Sequence, residues 1–268
     1  MMLYQYQRKR SETMNRTLII DRINELIASF EKDPRILCFL GLGSLANFSR
    51  LDDYSDLDFF LIVEDGEKQN FIHDLSWLHV KPLVYQFRNT IDGYKAMYDD
   101  GIFLEFAVFE KDELKHIPFY PGKILYQKDG FDEKIVDKEI KEKDHTSIEH
   151  RVGEALTNLY IGLLRDLRGE KASALSFIQV YAMHQIFELF PIFYPEHKEV
   201  EKDYFVSERR IEQRFKNERA IFSNMMQGYD KNKESAHAIL RFLKAHTSIS
   251  EPLENRIIEL IQRKEVKS

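Results

Sequence analysis

The chain has 268 residues, of which 43% are hydrophobic and 13% aromatic, so a disordered composition is excluded and one or two domains with apolar cores are expected. Its 39 Lys and Arg residues against 45 Asp and Glu residues give a formal charge of -6, which argues against a protein that binds duplex nucleic acid. The single cysteine, Cys38, excludes an intramolecular disulfide, and no apolar run approaches the ~20 residues that span a bilayer. We therefore expect a soluble, cytoplasmic protein that acts on a small molecule, with no membrane partner.

The first half of the chain alternates helix-like and strand-like segments. Apolar spacing predicts helices over residues 15–30 and 67–78, and short apolar runs predict strands over 35–42, 57–63, 83–87, 102–109 and 123–126. Cys38 falls in the first of these strands, where a buried and inert thiol is expected. Strands interleaved with helices indicate an α/β domain, which we assign to residues 1–130.

The second half carries no strand signal. Charged residues dominate between 127 and 146, and we expect the domain boundary there. Helical spacing then recurs over 148–167, 172–190, 208–226, 233–245 and 253–261. The predicted fold class is therefore an α/β domain with a mixed sheet, followed by an all-α helical bundle over residues 145–268.

The most informative motif is Gly43-Ser44, followed after eleven residues by Asp56-Leu57-Asp58 at the start of an apolar strand. Gly43 has no Cβ to block a phosphate, and Ser44 offers a hydroxyl and an amide at a predicted helix N-cap. Acids spaced i, i+2 on an extended chain point to the same side and can share one divalent cation. The motif predicts a site for a magnesium-bound triphosphate.

A third acid, Glu105, interrupts the otherwise apolar strand at 102–109. A salt-bridged glutamate at a sheet edge is the ordinary interpretation of such a residue. Beside Asp56 and Asp58, however, it could complete a metal cluster, because two carboxylates ~4 Å apart repel by about 4 kcal/mol at an effective dielectric of ~20 and need a cation or a proton.

This set of residues resembles the nucleotidyltransferase superfamily that includes DNA polymerase β and the antibiotic nucleotidyltransferases. Asn158-Leu159-Tyr160 and Leu167-Arg168-Gly169-Glu170 are also similar to the helical domain of the lincosamide nucleotidyltransferases. The resemblance implies a nucleotidyltransferase-type sheet domain in which Asp56 and Asp58 bind Mg²⁺. Gly43 and Ser44 would hold the triphosphate of ATP, and Glu105 would ligate metal or accept the proton of an attacking hydroxyl.

The resemblance also implies further contacts. Arg50 is the basic residue expected soon after the Gly-Ser turn. An acceptor, such as a lincosamide or aminoglycoside antibiotic, would lie near Tyr160, Arg165, Arg168 and Glu170, although Arg168-Gly169-Glu170 also fits an interhelical turn. Asp166 and Glu154 are further candidates for the general base. A homodimer is expected from the same resemblance.

Two alternatives stay open. The transferase could modify a protein or a tRNA, as in toxin–antitoxin modules. The chain could instead be a non-catalytic nucleotide-binding module whose helical half acts, since Arg241 and His246 match the spacing of an RNA-cleavage motif. Phe242 occupies a position that is usually polar in that motif, so chance is the better explanation.

Overall fold

The computed structural model describes residues 2–119, 121–137, 146–203 and 206–263, with side chains from residue 16 onward. The chain separates into two compact units, Met1–Lys141 and Glu142–Ser268. The boundary expected between residues 127 and 146 overlaps 138–145, which lie outside the described residues.

The first unit contains a six-stranded mixed sheet. Its strands are β1 (Ile36–Gly41), β2 (Leu57–Val63), β3 (Leu83–Arg88), β4 (Gly93–Tyr98), β5 (Phe103–Glu110) and β6 (Lys123–Gln127). They lie in the order β3-β4-β5-β2-β1-β6, and β2 and β5 are parallel whereas the other neighbouring pairs are antiparallel. This confirms the prediction of a mixed sheet.

Five of the six strands coincide with predicted strands, and the bounds of β2 were predicted to the residue. The strand β4 was not predicted, because Lys95, Ala96 and Met97 at its centre favour a helix. This segment is extended because it pairs with β3 on one side and with β5 on the other. Tertiary pairing therefore overrides its local preference.

In the described part of this unit, the α-helices α1 (Met2–Phe30) and α2 (Lys68–His73) accompany the sheet. The first begins thirteen residues before the predicted start at Asn15. The helix predicted over 67–78 is interrupted at Asp74, which is extended (φ -124°) and accepts a hydrogen bond from the Ser76 amide at 2.9 Å. This local cap starts a separate 3₁₀ turn, Leu75–Leu78.

The sheet separates two apolar clusters. On one face, Phe59 and Phe106 stack with ring centroids 5.3 Å apart and pack with residues of α1. On the other face, Phe60 and Ile62 pack with apolar residues of the chain that follows β5. Because successive side chains of a strand point to opposite faces, Asp58 lies on the same face as Phe60. Cys38 is buried in this second cluster, as expected, and burial raises the pKa of its thiol to about 12.

The second unit is helical over its described residues. Its helices are α3 (Ile148–Leu167), α4 (Lys171–Leu175), α5 (Met183–Phe193), α6 (Ile211–Arg214), α7 (Arg219–Met225), α8 (Asn232–His246) and α9 (Glu251–Gln262), and a π-helical segment, Ser176–Ala182, joins α4 to α5. The predicted helix at 148–167 is α3. The helix predicted over 208–226 is divided into α6 and α7. Arg214, the last residue of α6, is fully buried and pairs with Glu196 at 3.0 Å. Among the helices of the described residues, none is both long and apolar enough to cross a membrane.

Candidate active site

The Gly-Ser turn follows directly from the end of β1. The Leu42 amide donates to the Asp58 carbonyl at 2.8 Å, which ties the turn to β2. Gly43 has φ +52°, and a Cβ at this position would lie 2.5 Å from Asp58 Oδ2. Only glycine combines this backbone conformation with this close approach. The structure therefore brings the Asp58 carboxylate against the Gly43 backbone.

The Ser44 hydroxyl is buried and has no hydrogen-bond partner among the described residues. An unsatisfied buried polar atom costs about 1–3 kcal/mol. The predicted N-cap role of Ser44 is wrong, because residues 43–46 form a turn and the following 3₁₀ helix, Phe48–Arg50, is capped by Asn47. No hydrogen bond within the described residues therefore accounts for the burial of the Ser44 hydroxyl.

The loop before β2 is organised by its own aspartates. Asp52 accepts hydrogen bonds from the Tyr54 amide at 2.9 Å and the Ser55 hydroxyl at 3.0 Å, and Asp53 accepts one from the Arg16 amide at 3.1 Å. Asp56 follows this turn and is half-buried. The loop therefore ends with Asp56 and Asp58 on either side of the first residue of β2.

Glu105 lies beside Asp58 in the sheet, since the two are register partners on the parallel strands β5 and β2. Directly opposed residues project from the same face. The Glu105 carboxylate, however, contacts Lys95 Nζ at 3.1 Å through Oε2 and Asn89 Nδ2 at 3.4 Å through Oε1. Within the described ranges, no group of three or more His, Cys, Asp or Glu side chains is arranged to hold a metal ion.

The predicted convergence of three acids on one cation is therefore not found among the described residues. The adjacency of Glu105 and Asp58 is found, and the metal-binding roles of Asp56, Asp58 and Glu105 stay predictions.

Several basic or polar residues near these acids were not predicted as site residues. Lys95 lies on the strand that was not predicted, and Asn89 follows β3, so nothing in the sequence linked either residue to Glu105. Lys123, which opens β6 opposite Gly41, has its Nζ 4.2 Å from the centre of the Phe48 ring in the loop after the Gly-Ser turn. The strand at Lys123 was predicted, but its pairing with β1 cannot be read from local patterns. Arg50 ends the 3₁₀ turn and is half-buried, and its role stays a prediction.

The substrate residues predicted in the helical unit have contacts within that unit, and their substrate role stays a prediction. Tyr160 packs against the core of this unit. Arg165 donates to the Ser173 hydroxyl and lies over the Phe177 ring at 4.1 Å. Arg168 and Glu170 are exposed and 3.8 Å apart.

The segment Arg168-Gly169-Glu170 connects α3 to α4, with Gly169 at φ +82°, so its interpretation as an interhelical turn is confirmed. Asp166 is 4% exposed and accepts a hydrogen bond from Asn232 at 2.9 Å. This contact makes Asp166 a structural residue and contradicts its candidacy as a general base. Glu154, the other candidate, is exposed on α3.

The helical motif considered for RNA cleavage is also occupied by structural contacts. His246 Nε2 lies 3.1 Å from the Tyr194 hydroxyl, and His246 Nδ1 lies 3.0 Å from the Phe242 carbonyl. The imidazole also stacks on the Phe242 ring at 4.5 Å. Both ring nitrogens therefore have protein partners, which agrees with a chance match to the motif.

No protein-family model matches this chain, and no curated protein matches it either. The chain is similar in structure to an aminoglycoside 6-adenyltransferase from Bacillus subtilis, with 13% identity, 90% of this chain and 91% of that chain covered, and a TM-score of 0.35. It is also similar to a nucleotidyltransferase-like protein from Exiguobacterium sibiricum 255-15, with 10% identity, 88% and 72% covered, and a TM-score of 0.28.

Proposed function

We propose that this protein is a magnesium-dependent nucleotidyltransferase that moves AMP from ATP onto a hydroxyl of a small molecule. One observation carries the proposal: the Asp58 carboxylate packs against a glycine turn whose next residue, Ser44, keeps a buried hydroxyl without a partner among the described residues. Because Gly43 has no Cβ, the turn leaves room for a phosphate beside the Asp58 carboxylate. Such a site is suited to a triphosphate and its counter-ion.

Asp56 and Asp58 are the residues that would hold the cation. Mg²⁺ prefers hard oxygen ligands and is commonly bound by one or two carboxylates, with water and substrate phosphates as its other ligands. The donor set of this corner therefore fits magnesium without a third protein acid. When bound, the ion supplies charge neutralisation on the triphosphate.

The turn and its basic neighbours would bind the triphosphate. Gly43 leaves room for a phosphate oxygen, and the Ser44 hydroxyl can donate a hydrogen bond to it. Arg50 and Lys123 are the basic side chains of the loop and of β6 that we assign to the outer phosphates. Binding at several points orients the α-phosphorus toward the acceptor, and such orientation is a large part of catalysis in phosphoryl-group transfer.

Glu105 would act on the acceptor. Its carboxylate takes the proton as the O–H bond of the attacking hydroxyl breaks and the oxygen bonds to the α-phosphorus. The bond from the α-phosphorus to the bridging oxygen breaks in the same step, and pyrophosphate leaves. The motif resemblance favours a lincosamide or an aminoglycoside as acceptor, with Tyr160, Arg165, Arg168 and Glu170 as its further contacts in a helical domain over residues 145–268.

The proposed reaction also bears on the compartment, the class of acceptor and the oligomeric state. A reaction that consumes ATP requires a compartment that contains ATP, so we propose a cytoplasmic location. A net charge of -6 favours a small acceptor over duplex nucleic acid. A homodimer is proposed on the resemblance alone.

The test is turnover. Purified protein is incubated with Mg²⁺, ATP and a panel of lincosamides and aminoglycosides, and each acceptor is examined by mass spectrometry for the gain of one AMP group. We expect wild-type protein to modify at least one acceptor and Asp58→Asn to modify none. Asp65→Asn, which makes the same charge change in the exposed turn after β2, is the matched control and should stay active.

Modification of a co-purified protein or of tRNA, with none of the small molecules modified, would support the alternative of a toxin–antitoxin type transferase instead. Absence of any magnesium-dependent AMP transfer would contradict the proposed function.

A further inference from the structure

The acid-bearing face of the sheet has a continuous row of register partners across four strands. Phe87 on β3 lies opposite Lys95 on β4, Lys95 lies opposite Glu105 on β5, and Glu105 lies opposite Asp58 on β2. Directly opposed side chains share a face. Lys95 and Asp58 therefore flank Glu105 on its two sides, and the carboxylate can turn toward only one of them.

The Glu105 carboxylate is turned toward β4. Its Oε2 contacts Lys95 Nζ at 3.1 Å and its Oε1 accepts from Asn89 Nδ2 at 3.4 Å, so each oxygen has a donor on the side away from Asp58. The side chain is nevertheless 44% exposed. A carboxylate has about four acceptor sites, and these two contacts leave capacity for a hydroxyl donor from solvent or substrate.

Asn89 supplies a second, independent observation. Its Oδ1 is buried and has no partner among the described residues, while its Nδ2 faces Glu105. A buried amide oxygen without a partner destabilises the fold, and an apolar side chain of the same shape would avoid that cost. Stability therefore does not explain this asparagine, and the contact with Glu105 does.

We propose that Lys95 and Asn89 are positioning residues that hold the Glu105 carboxylate toward the acceptor and away from the cation, which leaves Asp56 and Asp58, among the described residues, as the acids that bind the metal. The inference rests on the proposed function. Of the two roles that the resemblance implies for Glu105, it favours the proton acceptor over the metal ligand. Lys95 and Asn89 act through Glu105 and touch no reacting atom.

The inference separates two measurable properties. Binding of Mg·ATP depends on Asp56, Asp58 and the Gly-Ser turn, whereas the rate of transfer depends on Glu105 and its two supports. Residues that orient a functional group through hydrogen bonds typically change activity by about 10–100-fold when they are removed. The variants of the supports should therefore lower kcat and leave KM for ATP unchanged.

The experiment compares Lys95→Met, Lys95→Arg and Asn89→Leu with wild type. Pyrophosphate release from Mg·ATP, with water as the acceptor, gives kcat and KM without knowledge of the natural acceptor, because water loses its proton in the same way. Thermal stabilisation by Mg²⁺ with α,β-methylene-ATP, which is not cleaved at the α-phosphorus, reports nucleotide binding.

We expect a fall in kcat of about tenfold or more for Lys95→Met and Asn89→Leu, with unchanged KM and unchanged stabilisation by the analogue. Lys95→Arg should recover most of the rate, since it keeps a cation beside Oε2. The unfolding midpoint of Asn89→Leu should be equal to or above that of wild type, a result that a merely structural asparagine would not give.

Three results would overturn the inference. The first is an unchanged kcat in both Lys95→Met and Asn89→Leu. The second is loss of analogue stabilisation in Glu105→Gln to the extent seen in Asp58→Asn, because Glu105 would then be a metal ligand. The third is a wild-type protein that neither binds the analogue with Mg²⁺ nor releases pyrophosphate, and this last result alone contradicts the proposed function as well.

Discussion

The buried polar side chains of the helical unit and the buried Ser44 hydroxyl of the sheet unit differ in their hydrogen bonding. In the helical unit, Gln179, Asn232 and Asp166 are each at most 4% exposed. Gln179 Nε2 donates to Asn232 Oδ1 at 2.9 Å, and Asn232 Nδ2 donates to Asp166 Oδ1 at 2.9 Å and to the Lys171 carbonyl at 3.2 Å. The Gln179 amide also exchanges two hydrogen bonds of 2.8 Å with the Gly228 backbone.

At the Gly-Ser turn, by contrast, Ser44 keeps its hydroxyl buried with no partner among the described residues. A network in which each buried side chain has a partner stabilises its unit. An unsatisfied atom beside an acid costs stability and gains its partner when a ligand binds. We infer that the helical network is structural and that the turn is a binding site.

The largest expected effect on folding lies in the network. Asn232→Leu removes a donor from the buried Asp166 and an acceptor from Gln179, so we expect the free energy of unfolding to fall by about 3 kcal/mol. Urea unfolding measures this loss, and Asn255→Leu, at an exposed position of α9, is the control and should change it by less than about 0.5 kcal/mol. Stabilisation by Mg·ATP should be kept. A loss of that stabilisation would show that the helical network also contributes to nucleotide binding.

The next largest effect is at Gly43. Gly43→Ala introduces a Cβ at φ +52° and 2.5 Å from Asp58 Oδ2, so we expect a loss of about 1–2 kcal/mol and loss of nucleotide binding. Gly66→Ala is the matched control. Its φ is +84°, but a Cβ there would meet no atom within 4 Å, so the same backbone strain should leave nucleotide binding intact. Equal affinity for nucleotide in both variants would contradict the account of the turn.

Ser44→Ala separates binding from stability. Removal of an unsatisfied hydroxyl should leave the free energy of unfolding unchanged or raise it slightly, while affinity for Mg·ATP should fall about tenfold, the value of one hydrogen bond to a charged group. Ser49→Ala, in the adjoining loop where the hydroxyl bonds to Asn47 at 2.8 Å, should keep full affinity. Destabilisation of Ser44→Ala without any loss of affinity would assign the hydroxyl to the fold.

The smallest expected effect is at Arg168. It pairs with Glu170 at 3.8 Å on the surface of an interhelical turn, so Arg168→Ala should change the free energy of unfolding by less than about 0.5 kcal/mol. Nucleotide binding should not change. A drop in turnover of the small-molecule acceptor at unchanged stability would support the substrate role that the resemblance implies for Arg168.

Local patterns predicted the parts of the fold that local physics determines. The apolar run that forms β2 and the helical spacing of α3 gave their bounds to the residue, because each has one clear period and clear flanking signals. The strand β4 could not be predicted, because its residues favour a helix and only its two neighbours extend it. The break at Asp74 was also missed, because it depends on a single side-chain cap.

In the candidate site, too, local sequence patterns indicated some features and tertiary contacts determine the others. Gly43, Asp58 and Glu105 were found because their residue types stand out against an apolar background. The sheet register then confirmed that Glu105 neighbours Asp58. The direction of the Glu105 carboxylate could not be predicted, since it depends on Lys95, which lies on the missed strand, and on Asn89.

The central claim is that the corner formed by Gly43, Ser44 and Asp58 binds a magnesium-bound triphosphate. Isothermal titration calorimetry with α,β-methylene-ATP, in the presence and absence of Mg²⁺, tests it most directly. The account predicts binding by wild type and by Asp65→Asn only with Mg²⁺, and binding by Asp58→Asn that is at least about tenfold weaker. Equal, magnesium-dependent affinity of Asp58→Asn and wild type would contradict the claim.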